Sequence, residues 1–157
     1  MSNKLKLAIC LTITLVTGFV GSIFTSQEIS GWYTSIRKPL WNPPNAIFGP
    51  VWTILYILMG ISLFLVWKSR HTSGKKNIAY LLFAVQLLLN FLWSFIFFRL
   101  HRIDLALLEI LMLWISILGT IIAFSHISKT AAWLLVPYIS WVSFASFLNY
   151  HIWILNR

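Results

Sequence analysis

Gln86, Asn90, Trp93, Ser94 and Phe97 stand at i, i+4, i+7, i+8 and i+11 of one otherwise apolar run, a spacing that gathers them on a single helical face. Two amides, a hydroxyl and two large rings on one face make a surface that hydrogen-bonds and stacks. No Ser or Cys has a visible base and orienting group, so the pattern is not that of a covalent hydrolase. Gln86 is expected to bond a neighbouring helix. For Asn90, beside Trp93, the spacing leaves open an interhelical bond or a bound polar ligand. Glu109 is the one acid inside an apolar run. With Asp104 as the expected cap of its helix, Glu109 lies about 8 Å below the helix start. There it is either a functional carboxyl or a structural one reached by snorkelling Arg99 or Arg102.

Aromatic rings supply the second kind of chemistry. Trp52 and Trp141 lie inside apolar runs, deeper than an interfacial belt would hold them. Trp32, Tyr33, Trp41, Phe48 and Trp52 fall in or at the end of the stretch Ser26 to Trp52, which also carries four of the five prolines. Pro39, Pro43, Pro44 and Pro50 fix backbone angles, so this connection is stiff and suited to form a lid over a cavity. In the last run Trp133, Pro137, Trp141, Ala145, Leu148 and Ile152 lie close to one face, with Pro137 expected to kink the helix.

The elements that must hold these residues follow from composition. Of the 157 residues 59% are hydrophobic and only 10% charged, more apolar surface than a soluble core of this size can hide. Lipid is therefore the expected solvent, and about 20 apolar residues cross it as a helix. Five stretches qualify, 5–25, 47–67, 78–98, 105–124 and 131–155. The expected fold is all-α, a five-transmembrane-helix bundle in one domain, 1–157, with the Pro/Trp-rich loop between the first two helices. Lys4, Lys6, Lys68, Arg70, Lys75, Lys76 and Lys129 fall on the N-terminal side, and Arg37, Lys38, Arg99, Arg102 and Arg157 on the other. That excess favours a cytoplasmic N terminus. The net charge of +9 is spread over these connections, so nucleic acid is not an expected partner. The lone Cys10 excludes an intrachain disulfide, and the four scattered histidines have no metal-ligand spacing. No metal and no cofactor are expected. Five helices without an inverted repeat also differ from standard ion-coupled transporters.

The stretch WYTSIRKPLWNPPNAIFGPVWTILYILMG, Trp32 to Gly60, resembles the hallmark loop and second helix of the translocator protein family, the tryptophan-rich sensory proteins. QLLLNFLWSFIFF from Gln86 and LLVPYISWVSFASFLNYHIW from Leu134 are similar to its third and fifth helices. The resemblance implies a multi-pass protein, in a bacterial cell membrane, whose first loop closes a pocket for porphyrins, haem and synthetic isoquinoline or benzodiazepine ligands. Matched by motif, Trp32, Tyr33, Trp52, Tyr56, Asn90, Trp93, Trp141, Ala145 and Leu148 would line it, and the residue patterns above add Phe48, Ser94, Phe97 and Glu109. Some bacterial members degrade protoporphyrin photochemically, which would give Trp52 and Trp141 a catalytic role. A receptor or transporter of porphyrin and a light-dependent enzyme would use the same pocket. The alternative is a non-catalytic scaffold or lipid- or sterol-binding protein.

Three departures bear on these expectations. Glu109 stands where the family commonly has Asp. Leu148 and Tyr150 begin the sterol motif, but Arg157 lies one position beyond its limit. A homodimer is implied by the family, yet the third helix lacks a small-xxx-small pattern.

Overall fold

The computed structural model describes residues 1–70 and 73–157, so His71 and Thr72 of the basic second connection lie outside the described residues. The helices are α1 (Asn3–Glu28), α2 (Trp32–Ser35), α3 (Asn45–Lys68), α4 (Ser73–Ser94) running into a π-helical turn (Phe95–Arg99), α5 (Ile103–Ser125), α6 (Lys129–Leu134) and α7 (Val136–Asn156). Among the described residues these form five spans long and apolar enough to cross a membrane, with α6 and α7 counted as one. The chain is thus an all-α multi-pass membrane protein.

The spans close into a ring. α1 packs on α3, α3 on α6, α6 and α7 on α5, α5 on α4, and α4 back on α1. The α1–α3 seam depends on two glycines. A Cβ at Gly18 would overlap the Tyr56 ring, and one at Gly60 would lie 3.0 Å from the Leu11 Cα. Without those atoms the helices approach closely enough for the Thr14 hydroxyl to donate to the Tyr56 carbonyl at 2.8 Å. Close backbone approach supplies the packing that joins helices where lipid offers no hydrophobic drive.

Two helix ends differ from expectation. Asp104 is not the cap of α5; Arg102 occupies that position and Asp104 sits in the first turn. The Asp104 carboxylate instead accepts two bonds from the Arg102 guanidinium, at 2.9 and 2.7 Å. Such a forked pair is stronger than a single cap bond, and an acid in the first turn still complements the helix dipole. Arg102 is therefore committed away from Glu109.

Pro137 does more than kink the last span. The helix breaks at Leu135, and α7 restarts with the proline in its first turn, where a missing N–H costs nothing. Burial keeps helical spacing across the break, at Ala131, Leu135, Tyr138 and Val142, and the stripe read from the sequence lies off that face at its start: Trp133 is 71% exposed and Pro137 is exposed too. The buried face of α7 is Tyr138, Val142, Leu148, Asn149 and Ile152.

Gly60→Ala is expected to destabilise the fold by about 1–3 kcal/mol, because the Leu11 backbone cannot yield to the new methyl. Thermal unfolding in detergent measures this, with Gly49→Ala as control, since no atom lies within 4 Å of a Cβ there.

Candidate functional site

Between the spans lies a cavity of about 530 Å³. Its floor is a chain of buried polar groups. Tyr56 of α3 donates its hydroxyl to the Asn90 carbonyl oxygen. The Asn90 amide donates to the Tyr138 hydroxyl at 3.0 Å, and Tyr138 donates to Gln86 Oε1 at 2.8 Å. Three spans are tied at one point, and the expected interhelical role of Gln86 is seen. Asn90 belongs to this network and also lines the cavity, so its two sequence readings are not exclusive.

Aromatic rings form the walls. Trp93 stacks on Phe97 at 5.0 Å between centroids, and its indole N–H donates to Asn149 Oδ1 at 3.1 Å. Asn149 in turn donates to the Ile103 carbonyl at 3.1 Å, which fixes the Trp93 ring from α5 and α7 together. Trp52 lies 5.7 Å from Tyr56 and 6.2 Å from Tyr138. Trp141 meets Phe48 edge-on at 6.0 Å. It also borders an outer groove of about 390 Å³ between α3 and α7, so this indole is a partition between the cavity and the surface that faces lipid.

The loop covers the cavity through Tyr33, which is 4% exposed. Its hydroxyl donates to Asn42 at 3.1 Å; burial pushes the phenol up and the Asn42 bond draws it partly back. The Lys38 ammonium donates to the Tyr33 carbonyl at 2.5 Å and the Ile36 carbonyl at 3.1 Å, folding the loop upon itself. Asn156 at the end of α7 clamps Arg37, accepting from its N–H at 2.9 Å and donating to its carbonyl at 2.8 Å. Trp41 stacks on Phe147 at 5.3 Å.

Of the candidate residues, Tyr33, Phe48, Trp52, Tyr56, Asn90, Trp93, Ser94, Phe97, Trp141, Ala145 and Leu148 line this one cavity. Two do not. Trp32 lies behind Phe97, edge-on at 5.6 Å. Glu109 is buried with both carboxyl oxygens unpartnered among the described residues; it is one position away from the lining Ile110, and neither Arg99 nor Arg102 reaches it with a hydrogen bond. Sequence reasoning missed the wall supplied by α1, Gly18, Gly21, Ser22 and Thr25. Their i, i+3, i+4, i+7 spacing is a small-residue stripe that could have marked them. It also missed Tyr138, Asn149 and the Lys38 and Asn156 clamps.

No charged side chain lines the cavity among the described residues. Its polar groups are amides and hydroxyls, so the arrangement can hold a flat, largely apolar molecule by stacking and orient it by a few neutral hydrogen bonds.

Fold and site together define a class: helical membrane proteins that enclose an aromatic cavity under a clamped loop. The chain belongs to the TspO/MBR family, whose sequence profile matches residues 10–154. It is 47% identical over 152 residues to the tryptophan-rich protein TspO of Chlorobaculum tepidum, covering 97% of this chain and 96% of that protein. The translocator protein of Homo sapiens is 40% identical over 136 residues, 86% and 80% of the two chains. Protein CrtK of Rhodobacter capsulatus is 37% identical over 139 residues, 88% and 85%.

Tyr138→Phe is expected to cost about 1–2 kcal/mol of stability, because Asn90 loses an acceptor and Gln86 a donor at buried positions between three spans. Thermal unfolding measures the loss; an unchanged midpoint would show that the polar chain does not hold the bundle.

Proposed function

We propose that the cavity is a binding site for porphyrins, protoporphyrin IX and haem, and for synthetic isoquinoline or benzodiazepine compounds, and that the protein is a membrane receptor or sensor for tetrapyrroles. The observation that carries this reading is the uncharged cavity of about 530 Å³ with Trp52, Trp93 and Trp141 in its walls. That volume lies in the range of small-molecule sites, which run from about 300 to 1,000 Å³. Two indoles on a macrocycle contribute about 1–3 kcal/mol each, by analogy with bases stacked on aromatics. Trp32 and Glu109 fall outside this lining, so their proposed part is support of the site rather than ligand contact. We place the protein in a bacterial cell membrane with its N terminus inside, and its partners there are the ligand, lipid and a second copy of the chain.

A second reading makes the protein an enzyme that degrades protoporphyrin in the presence of light and oxygen. It is favoured by one observation, that Trp52 and Trp141 border the same space, where either indole could exchange an electron with an excited porphyrin. Illuminating the purified protein with protoporphyrin and following its absorption band tests this reading. Loss of the band that is reduced in Trp141→Phe supports it, and an equal loss in the double variant Trp52→Phe, Trp141→Phe removes it.

For binding itself, Trp52→Ala and Trp141→Ala are each expected to weaken protoporphyrin affinity about tenfold or more, at about 1.4 kcal/mol per decade. Trp67→Ala is expected to leave it unchanged, because Trp67 sits at the opposite end of α3 under the Lys6 ammonium. Equal small losses at all three positions in folded protein would leave only a scaffold role. Replacing Pro43 and Pro44 together by Gly is expected to weaken binding further by raising the entropic cost of ordering the loop; titration of the double variant checks this.

A further inference from the structure

All three acids of the chain lie toward one end of the bundle. Glu28 closes α1, and Asp104 and Glu109 stand in the first two turns of α5, which begins on the side where α1 ends. The opposite end, where α1 and α4 begin and α3 stops, carries Lys4, Lys6, Lys68, Arg70, Lys75, Lys76 and Lys129 and no acid. Four of these lysines fall among the first four residues of a helix, Lys4 and Lys6 in α1 and Lys75 and Lys76 in α4. A helix start is the positive end of the backbone dipole and favours anions. Cations in two first turns therefore stand against the field of their own helices and against one another.

Two of the lysines meet at one tryptophan. Lys6 Nζ lies 5.8 Å from the centre of the Trp67 ring. Lys76 reaches from α4 to the end of α3, donating to the Trp67 carbonyl at 3.1 Å and to the Ser69 carbonyl at 2.6 Å. Two of its three ammonium protons are thus engaged and one is left. Lys68 Nζ rests over the Phe64 ring at 5.3 Å, one turn back on α3. The ends of α1, α3 and α4 are joined here with no anion between them. Both ion pairs among the described residues, Glu28 with His101 and Arg102 with Asp104, lie at the other end of the bundle. Trp67 itself is half-buried at the end of a span, the depth at which indoles settle among lipid headgroups.

We infer that the corner formed by Lys6, Trp67 and Lys76 is a binding site for the phosphate of an anionic phospholipid. Lys6 and the remaining proton of Lys76 supply charge-assisted hydrogen bonds, and Trp67 marks the level at which a headgroup phosphate lies. A bound phosphate relieves the repulsion between cations at two helix starts, and with no acid at this end the relief comes from outside the chain. Leu5 of α1 and Ile78 and Leu81 of α4, in the adjoining turns, are exposed and offer the apolar surface on which acyl chains lie. A zwitterionic headgroup carries its own cation beside the phosphate and relieves less, so the site selects a net negative lipid. Trp67 and the cavity residue Trp52 are separated by 15 residues of α3, about 22 Å along the helix, so the site does not depend on what the cavity holds.

Titration of the full chain in detergent, read by native mass spectrometry, tests this with dioleoyl phosphatidylglycerol, dioleoyl phosphatidylcholine and, as a competitor, inorganic phosphate. Wild-type protein is expected to hold phosphatidylglycerol about fivefold more tightly than phosphatidylcholine, the scale of one lysine at a membrane surface. Lys6→Gln and Lys76→Gln should each lower the affinity for phosphatidylglycerol about fivefold and leave that for phosphatidylcholine unchanged. Lys76 also ties α4 to α3, so Lys6→Gln, which removes no side-chain hydrogen bond among the described residues, decides the outcome if the Lys76 variant unfolds. Lys129→Gln takes one charge from the same end of the bundle, on α6, and should change the affinity less than about twofold, since a separated exposed charge is screened. Equal affinity for the two lipids overturns the inference. So does a loss in Lys129→Gln as large as that in Lys6→Gln, which would make the attraction a property of the whole basic face. Displacement of the lipid by inorganic phosphate at equal concentration would show a site for the free anion and overturn the assignment to phospholipid.

Discussion

Asn90 has donors and an acceptor in its side chain and sits where a bilayer core offers neither water nor any other polar solvent. Its hydrogen bonds must be met from within the bundle, and they are met by Tyr56 of α3 and Tyr138 of α7. Because these partners come from different spans, satisfying one amide fixes how those spans stand relative to one another. Gln86 extends the arrangement by a turn of α4 through Tyr138. An open space survives beside this knot because the atoms that would fill it are already occupied with each other.

What keeps that space open above the knot is the way the neighbouring helices are built. The absent side chains of Gly18 and Gly60 bring α1 and α3 together, and α1 presents the small groups Gly18, Gly21, Ser22 and Thr25, beside Leu15 and Phe19, to the cavity. On the far side, the break at Leu135 separates a short α6 that packs on both α3 and α5 from a long α7 that packs on α5. The gap between α3 and α7 is instead occupied by rings, with Trp141 dividing the interior from the outer groove.

The spans were legible because length and hydropathy are what a bilayer selects, and the polar face of α4 was legible because period 3.6 survives in an unbroken helix. The inward face of the last span was legible only in part: Trp133 was grouped with the stripe of Trp141 and Ala145, whereas the buried positions Leu135, Tyr138, Val142 and Asn149 run beside it, and Tyr138 was overlooked. Local charge pairing was equally hidden. Asp104 looked like a cap and Arg102 like a free snorkel, whereas each satisfies the other. The lining from α1 was missed because small residues carry no chemistry of their own and matter only for what they leave room for. Lys38 and Asn156 were unreadable in a different sense, since Asn156 meets a loop residue 119 positions away.

The lid and the bundle are held by interactions of different strength. Inside, the polar bonds are buried in spans that cannot part without exposing amides to hydrocarbon, so they open only with the whole fold. The loop is pinned by contacts at the water boundary: the Asn156 clamp on Arg37, the stacking of Trp41 on α7, and the Glu28–His101 pair. Exposed contacts of this kind contribute about 0–1 kcal/mol each, and the prolines between them limit how far the loop strays once released. A segment held by several weak, solvent-reachable contacts opens locally while its scaffold stays folded. That difference lets the loop over a cavity with no charged side chain among its described lining residues open without unfolding the helices that shape the cavity.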